Sequence, residues 1–162
     1  MIPKAVQDAM NEQIKNEIYS GYIYLSASAH FASNNLPGFA HWMRHQAEEE
    51  LEHAMKFFDF IQDRGGTVTL QAIDQPPTMW KSPLEIFETA LKHEQKVTGM
   101  INRIYEIAVK ENDYPSQVML HWFIKEQVEE EKNAGEIVET LKMLDAHGPS
   151  LLMLDRQLGA RE

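Results

Sequence analysis

Six polar side chains interrupt stripes that are otherwise largely apolar at helical spacing: Glu17, Glu50, His53, Glu94, Gln127 and Glu130. Steps of three and four mark the face that a helix turns toward a core. The first stripe runs Met10, Ile14, Glu17, Gly21, Tyr24, Ser28, Phe31, and the second Phe39, Met43, Gln46, Glu50, His53, Phe57, Phe60. The third runs Phe87, Ala90, Glu94, Val97, Ile101, Ile104, and the fourth Leu120, Phe123, Gln127, Glu130, Ala134, Ile137, Leu141. A lone carboxylate in an apolar interior costs several kcal/mol, so it is normally neutralised, paired or bound to metal. No Lys or Arg stands on these stripes. Four helices each carry a carboxylate at mid-length, and the balancing positive charge must come from elsewhere.

An internal echo brings these groups to one place. An offset of 77 residues carries Glu17 onto Glu94, Glu50 onto Gln127 and His53 onto Glu130, and likewise Glu49 onto Glu126 and Glu52 onto Glu129. Two hairpins with the same internal spacing, related by a pseudo-two-fold axis, would share one central site. It would hold Glu17, Glu50, Glu94 and Glu130, formally −4, which two divalent cations balance, with His53 as a neutral imidazole ligand. Di-iron carboxylate bundles are built this way, with one Glu from each of two helices and Glu-x-x-His from the other two. The second helix has Glu50-Leu51-Glu52-His53, whereas the fourth departs with Gln127-Val128-Glu129-Glu130. Carboxylate and imidazole without thiolate suit iron or manganese, and zinc could also bind.

The elements that must position these groups are punctuated by proline and glycine. Proline is tolerated in the first turn of a helix and breaks its interior. Pro3, Pro37, Pro83, Pro115 and Pro149 therefore mark starts, while Asn34-Asn35, Gly65-Gly66 and Gly148 mark ends. This predicts helices over about 4–34, 38–64, 83–111, 115–146 and 150–159. Ser82 is the expected N-cap of the third, with Glu85 completing a capping box. Short connections make neighbours antiparallel. The stretch from Gly65 to Ser82 has no helical period and reads as a long crossover that leaves the second and third helices parallel, the alternative being a flexible linker between two hairpins. Val68, Leu70, Ile73, Met79 and Trp80 suggest that it is packed.

Composition removes several classes. The chain has 162 residues and no cysteine, which fits one domain over 1–162 and excludes disulfide scaffolds, zinc-thiolate sites and thiol catalysis. A formal charge of −10 argues against a nucleic-acid partner. No apolar run is long enough to span a bilayer, and the first residues lack the apolar stretch of a signal peptide. A cytoplasmic location without a membrane partner is expected.

At these residues the chain resembles the bacterial-type non-haem ferritins over essentially its whole length. The similarity is carried by NEQIKNEIYSGYIYLS in the first helix, EEELEHAMKFFDFI in the second, KHEQKVT in the third and LHWFIKEQVEEEK in the fourth. It implies an all-α, ferritin-like four-helix bundle with a short fifth helix, assembled as a hollow shell of 24 subunits. It also implies a ferroxidase that oxidises Fe(II) with O₂ or hydrogen peroxide and stores ferric mineral. By motif, one iron would be held by Glu17, Glu50 and His53, and a second by Glu94 and Glu130, with Glu50 bridging and Gln127 nearby. A third position would use Glu49, Glu126 and Glu129 and share Glu130. Tyr24 and Trp122 match aromatic residues near this centre. Haem-binding bacterioferritins have His where this chain has Glu130 and a haem-ligating Met where it has Glu52, so no haem is expected.

The alternatives are another di-metal oxidoreductase or peroxidase on the same bundle that forms no storage shell, a DNA-coating mini-ferritin, and a bundle without chemistry. Rubrerythrin-type peroxidases carry a cysteine-bound iron domain, which this chain lacks. Mini-ferritins lack the fifth helix and place metal between subunits. A purely structural bundle leaves the seam carboxylates unexplained. Tyr24 and Trp122 are core packing first, and His30, His41, His45, His93, His121 and His147 read as structural.

Overall fold

The computed structural model describes residues 1–144 and 148–162. It contains α1 (Lys4–Ser33), α2 (Pro37–Asp63), α3 (Pro83–Lys110), α4 (Tyr114–Met143) and α5 (Pro149–Gly159), and no strand among the described residues. The predicted extension of the fourth helix through 145–146, and His147, lie outside the described residues.

The ends follow local chemistry. Asn35 (φ 58°), Gly65 (φ 67°) and Asn112 (φ 55°) take the left-handed conformation just past three of the helices, where glycine and asparagine are least strained. The Ser82 hydroxyl accepts from the Glu85 backbone N–H at 3.1 Å. The Glu85 carboxylate reaches back to the N–H of Lys81, at 2.6 Å, rather than to that of Ser82.

The long connection between α2 and α3 climbs the outside of α1. The Asn11 side chain donates to the Thr67 carbonyl and accepts from the Thr69 N–H, near the start of α1. Ser26 donates to the Pro77 carbonyl farther up the same helix. The starts of α2 and α3 therefore meet, with the Phe39 and Phe87 rings 5.9 Å apart. At the opposite end Arg64, just past α2, grips Asp113 through two hydrogen bonds of 2.7 and 3.1 Å. Thus α2 and α3 run parallel. Val68 and Trp80 pack against the core. Leu70 and Met79 are exposed, because a chain lying on a helix can turn only part of its side chains inward.

Two apolar clusters fill the bundle. One contains Phe31, Phe39, Trp42, Phe87, Leu141 and Leu154, and the other Met10, Phe57, Val97, Ile101, Leu120 and Phe123. The six polar interruptions lie between them along every long helix and are themselves buried. The apolar layers exclude water from both ends of the polar belt.

Helix α5 folds onto the start of α2 with Leu151, Leu154 and Leu158 buried. The Asp155 carboxylate accepts from the Phe39 N–H at 2.9 Å. It thus supplies from 116 residues away the cap that the N-terminus of α2 lacks locally. This approach needs Gly38, where a Cβ would fall 1.6 Å from the Asp155 carbonyl oxygen. Gly38→Ala is therefore expected to lift α5 off α2 and to lower the melting temperature by several degrees, since overpacking costs about 1–3 kcal/mol. Hydrogen exchange should quicken across residues 151–158. Unchanged protection there would refute the dependence on Gly38.

Candidate metal centre

The centre is assembled from one polar position on α1, one on α3 and a pair on each of α2 and α4. Glu17, Glu50, His53, Glu94, Gln127 and Glu130 are each no more than 5% exposed. One donor atom from each of Glu17, Glu50 and His53 converges within 4.8 Å, and a second such group joins His53, Glu126 and Glu130. His53 stands in both groups, with Nδ1 3.3 Å from Glu50 Oε2 and Nε2 4.0 Å from Glu126 Oε1. Glu94 belongs to neither group. Its carboxylate accepts from the buried Tyr24 hydroxyl and, at 3.1 Å, from the Gln127 side-chain amide. Gln127 therefore meets Glu94 as a donor, with its nitrogen turned toward the carboxylate.

The electrostatics follow from burial without counter-charge. Among the described residues no Lys or Arg forms an ion pair with Glu17, Glu50, Glu94 or Glu130. Burial pushes the Glu17 and Glu94 carboxyls above the ordinary range. Glu50 is pushed well above it by burial and by the charges of Glu94 and Glu17. Glu130 rises to about 8, from burial first and Glu94 second. The Tyr24 phenol is likewise raised, by burial and the surrounding carboxylates. Among the described residues, Glu17 Oε2 and Glu50 Oε2 are buried with no hydrogen-bond partner. Unpartnered buried oxygens are rare in folded proteins. Beside a convergent imidazole they form a donor set suited to a hard or borderline divalent cation.

Two amides outside the sequence-derived set support the carboxylates. Gln13 donates to Glu17 at 2.8 Å and Gln46 to Glu130 at 2.9 Å. Gln46 stands on the second stripe one turn before Glu50, and Gln13 lies one turn before Glu17 beside the first stripe, so helical spacing is the signal that marks them. The remaining positions are more open. Glu126 and Glu49 are partly buried, and Glu129 is exposed and outside both groups. Glu131 is held by the Thr98 hydroxyl at 2.6 Å. Tyr24 is buried in the core as expected, whereas Trp122 is 40% exposed rather than core, with its ring 5.4 Å from that of His53 and the Lys56 ammonium 4.5 Å from its centre. His93 is partly buried against Ser20 and Tyr19, and burial together with Lys96 lowers its pKa to about 4.

A family model for the ferritin-like domain matches residues 7–144. The chain belongs to the ferritin family. A bacterial non-heme ferritin of Bacteroides fragilis is 42% identical, with 99% of this chain aligned to 100% of that one. One from Staphylococcus saprophyticus is 36% identical over 99% and 96% of the two chains. Among solved structures, an open-pore ferritin from the hyperthermophilic archaeon Archaeoglobus fulgidus superposes with a TM-score of 0.98 at 46% identity, covering both chains fully. The four-helix ferritin bundle with its short fifth helix is thus the fold of this chain. No described helix is long and apolar enough to cross a membrane.

Proposed function

We propose that the protein is an iron-storage ferroxidase whose buried polar belt binds Fe(II) as substrate. The observation that carries this reading is the pair of unpartnered buried oxygens on Glu17 and Glu50, whose carboxylates converge with His53 where, among the described residues, no Lys or Arg pairs with them. Glu17, Glu50 and His53 hold one Fe(II). Glu94 and Glu130 hold the second, Glu50 bridges, and Gln127 lies beside them. Glu49, Glu126 and Glu129 serve a third position that shares Glu130. Each of two Fe(II) ions gives up one electron, and O₂ takes both with two protons to become hydrogen peroxide; peroxide can also serve as the oxidant. The protein places both ions and keeps bulk water away. Tyr24 holds Glu94 by its hydroxyl, and Trp122 packs at the edge of His53.

Storage requires assembly. A face of α1 and α2 exposes Tyr22, Leu25 and Leu51 beside Ile18, Gly21 and Ala47, an apolar strip suited to burial against another subunit. A shell of 24 chains of 18.7 kDa would weigh about 450 kDa. The test is aerobic addition of Fe(II) to metal-free protein, followed by ferric absorbance and by sedimentation. Rapid oxidation with iron carried on a particle of that size is expected. A dimer that oxidises iron without retaining it would instead favour another di-metal oxidoreductase.

A further inference from the structure

Beyond α5 the chain turns back across α2 and ends in a set of contacts that the centre itself does not require. The Arg161 guanidinium donates to Glu49 Oε2 at 2.7 Å and lies 4.9 Å from the centre of the Trp42 ring. The Arg161 backbone carbonyl is 2.6 Å from His41 Nε2, which donates to it. His41, Trp42 and Glu49 all belong to α2, so backbone, ring and carboxylate fix the arginine at three points. The side chains of Arg161 and Glu49 are 21% and 37% exposed, so the pair is partly shielded from solvent.

We propose that Arg161 is a positioning residue for the third metal position, a resident counter-cation on Glu49 that an incoming metal ion must displace. This rests on the proposed site, in which Glu49 is a ligand alongside Glu126, Glu129 and Glu130. The three outer glutamates are not equivalent. Glu126 converges with His53 and Glu130, and Glu129 is open to solvent. Among the described residues, Glu49 alone of the three is paired with a Lys or Arg side chain. Its charge also reaches Glu130, whose proton affinity Glu49 helps to raise after burial and Glu94. While Arg161 holds Glu49, that carboxylate is neutralised and turned to the chain terminus, so a third ion must break a charge-assisted hydrogen bond to gain the ligand. The two inner positions contain no such pair and fill without this competition. Arg161 therefore delays occupation of the third position, and with it the competition of a third ion for Glu130, until metal is abundant.

Zn(II), which is redox-silent, is the probe, added to the full-length assembled protein. Site occupancies are read by anomalous diffraction and affinities by calorimetry. In Arg161→Ala and Arg161→Gln, the third position should bind roughly fivefold more tightly, the scale of a partly exposed ion pair. Arg161→Lys should stay near wild type, and the inner positions should be unchanged in all three. The gain should shrink at high salt and vanish when Glu49→Gln is added. A purely structural role for Arg161 would lower thermal stability without moving third-site occupancy. If the inner positions fill but third-site affinity is the same in wild type, Arg161→Ala and Arg161→Gln, the inference is wrong while the site stands. The same holds if the gain survives Glu49→Gln. Failure of the inner positions to fill in wild type would overturn the site assignment, and this inference with it.

Discussion

Glu50→Ala is expected to slow Fe(II) oxidation by about two orders of magnitude or more while leaving a helical, assembled protein. Loss of an outer-shell partner alone typically costs ten- to a hundredfold in metal affinity or activity, and Glu50 would be a direct ligand between two ions. The structure gives it that position. One oxygen is buried without a partner, His53 Nδ1 lies 3.3 Å from it, and the charges of Glu94 and Glu17 both act on the carboxyl. The change should not unfold the bundle. Removing Glu50 relieves a buried carboxyl that has no cationic partner, and apolar layers on both sides keep the helices together. Stopped-flow absorbance after mixing with Fe(II) measures the effect, and circular dichroism with sedimentation monitors the fold and the particle. Trp122→Phe is the control on the neighbouring surface, where a much smaller effect is expected. Wild-type initial rates in Glu50→Ala would remove Glu50 from the centre.

Much of this arrangement can be read in the sequence because burying charge is costly. A carboxylate on an apolar stripe signals something that an apolar residue there cannot, and the repeat at 77 residues places several such signals on matching helices. Neutral amides give a fainter signal. Gln46 sits on the second stripe and Gln13 beside the first, and they hold Glu130 and Glu17, yet an amide in a core is common enough to pass as packing. The stripes also drift. Sequence spacing continues the second stripe to Phe60 and the fourth to Ile137, whereas Ile61 and Val138 are the fully buried residues. Steps of three and four followed over several turns accumulate error against a helix of 3.6 residues per turn. Contacts between distant segments leave no local trace. The cap that Asp155 gives Phe39 and the grip of Arg161 on Glu49 join positions more than a hundred residues apart, and no periodicity encodes them. The crossover was legible as a length and as missing periodicity, but which of its apolar residues face inward depends on the path along α1.

Glu94→Gln is expected to stabilise the metal-free protein at mildly alkaline pH while weakening metal binding. Glu94, Glu50, Glu17 and Glu130 each hold a proton more tightly in the folded chain than in the unfolded one, with burial as the first cause in every case. Between the ordinary carboxylate pKa and the raised values, the native state binds more protons than the unfolded state, so stability falls as pH rises. Below that window the carboxyls are neutral in both states and the cost is absent. Above it the cost is complete, and for Glu130 the upper edge is about 8. Glutamine mimics the protonated side chain. Its carbonyl can still accept from Tyr24, and a rotation of the Gln127 amide turns the present N–H···O contact into its reverse. The variant should therefore approach wild type as pH falls toward the ordinary carboxylate range, where the cost of ionising the buried group fades. It should melt several degrees higher near pH 8, since about 1 kcal/mol corresponds to roughly 2–4 °C in a domain of this size. Divalent metal should reverse the order, because a bound ion stabilises the wild-type carboxylate more than an amide. Melting temperatures of chelator-treated and Zn(II)-loaded samples across this pH range provide the comparison. A metal-free Glu94→Gln protein that melts below wild type near pH 8 would show that the hydrogen bonds from Tyr24 and Gln127 outweigh the repulsion and desolvation of the buried carboxylates.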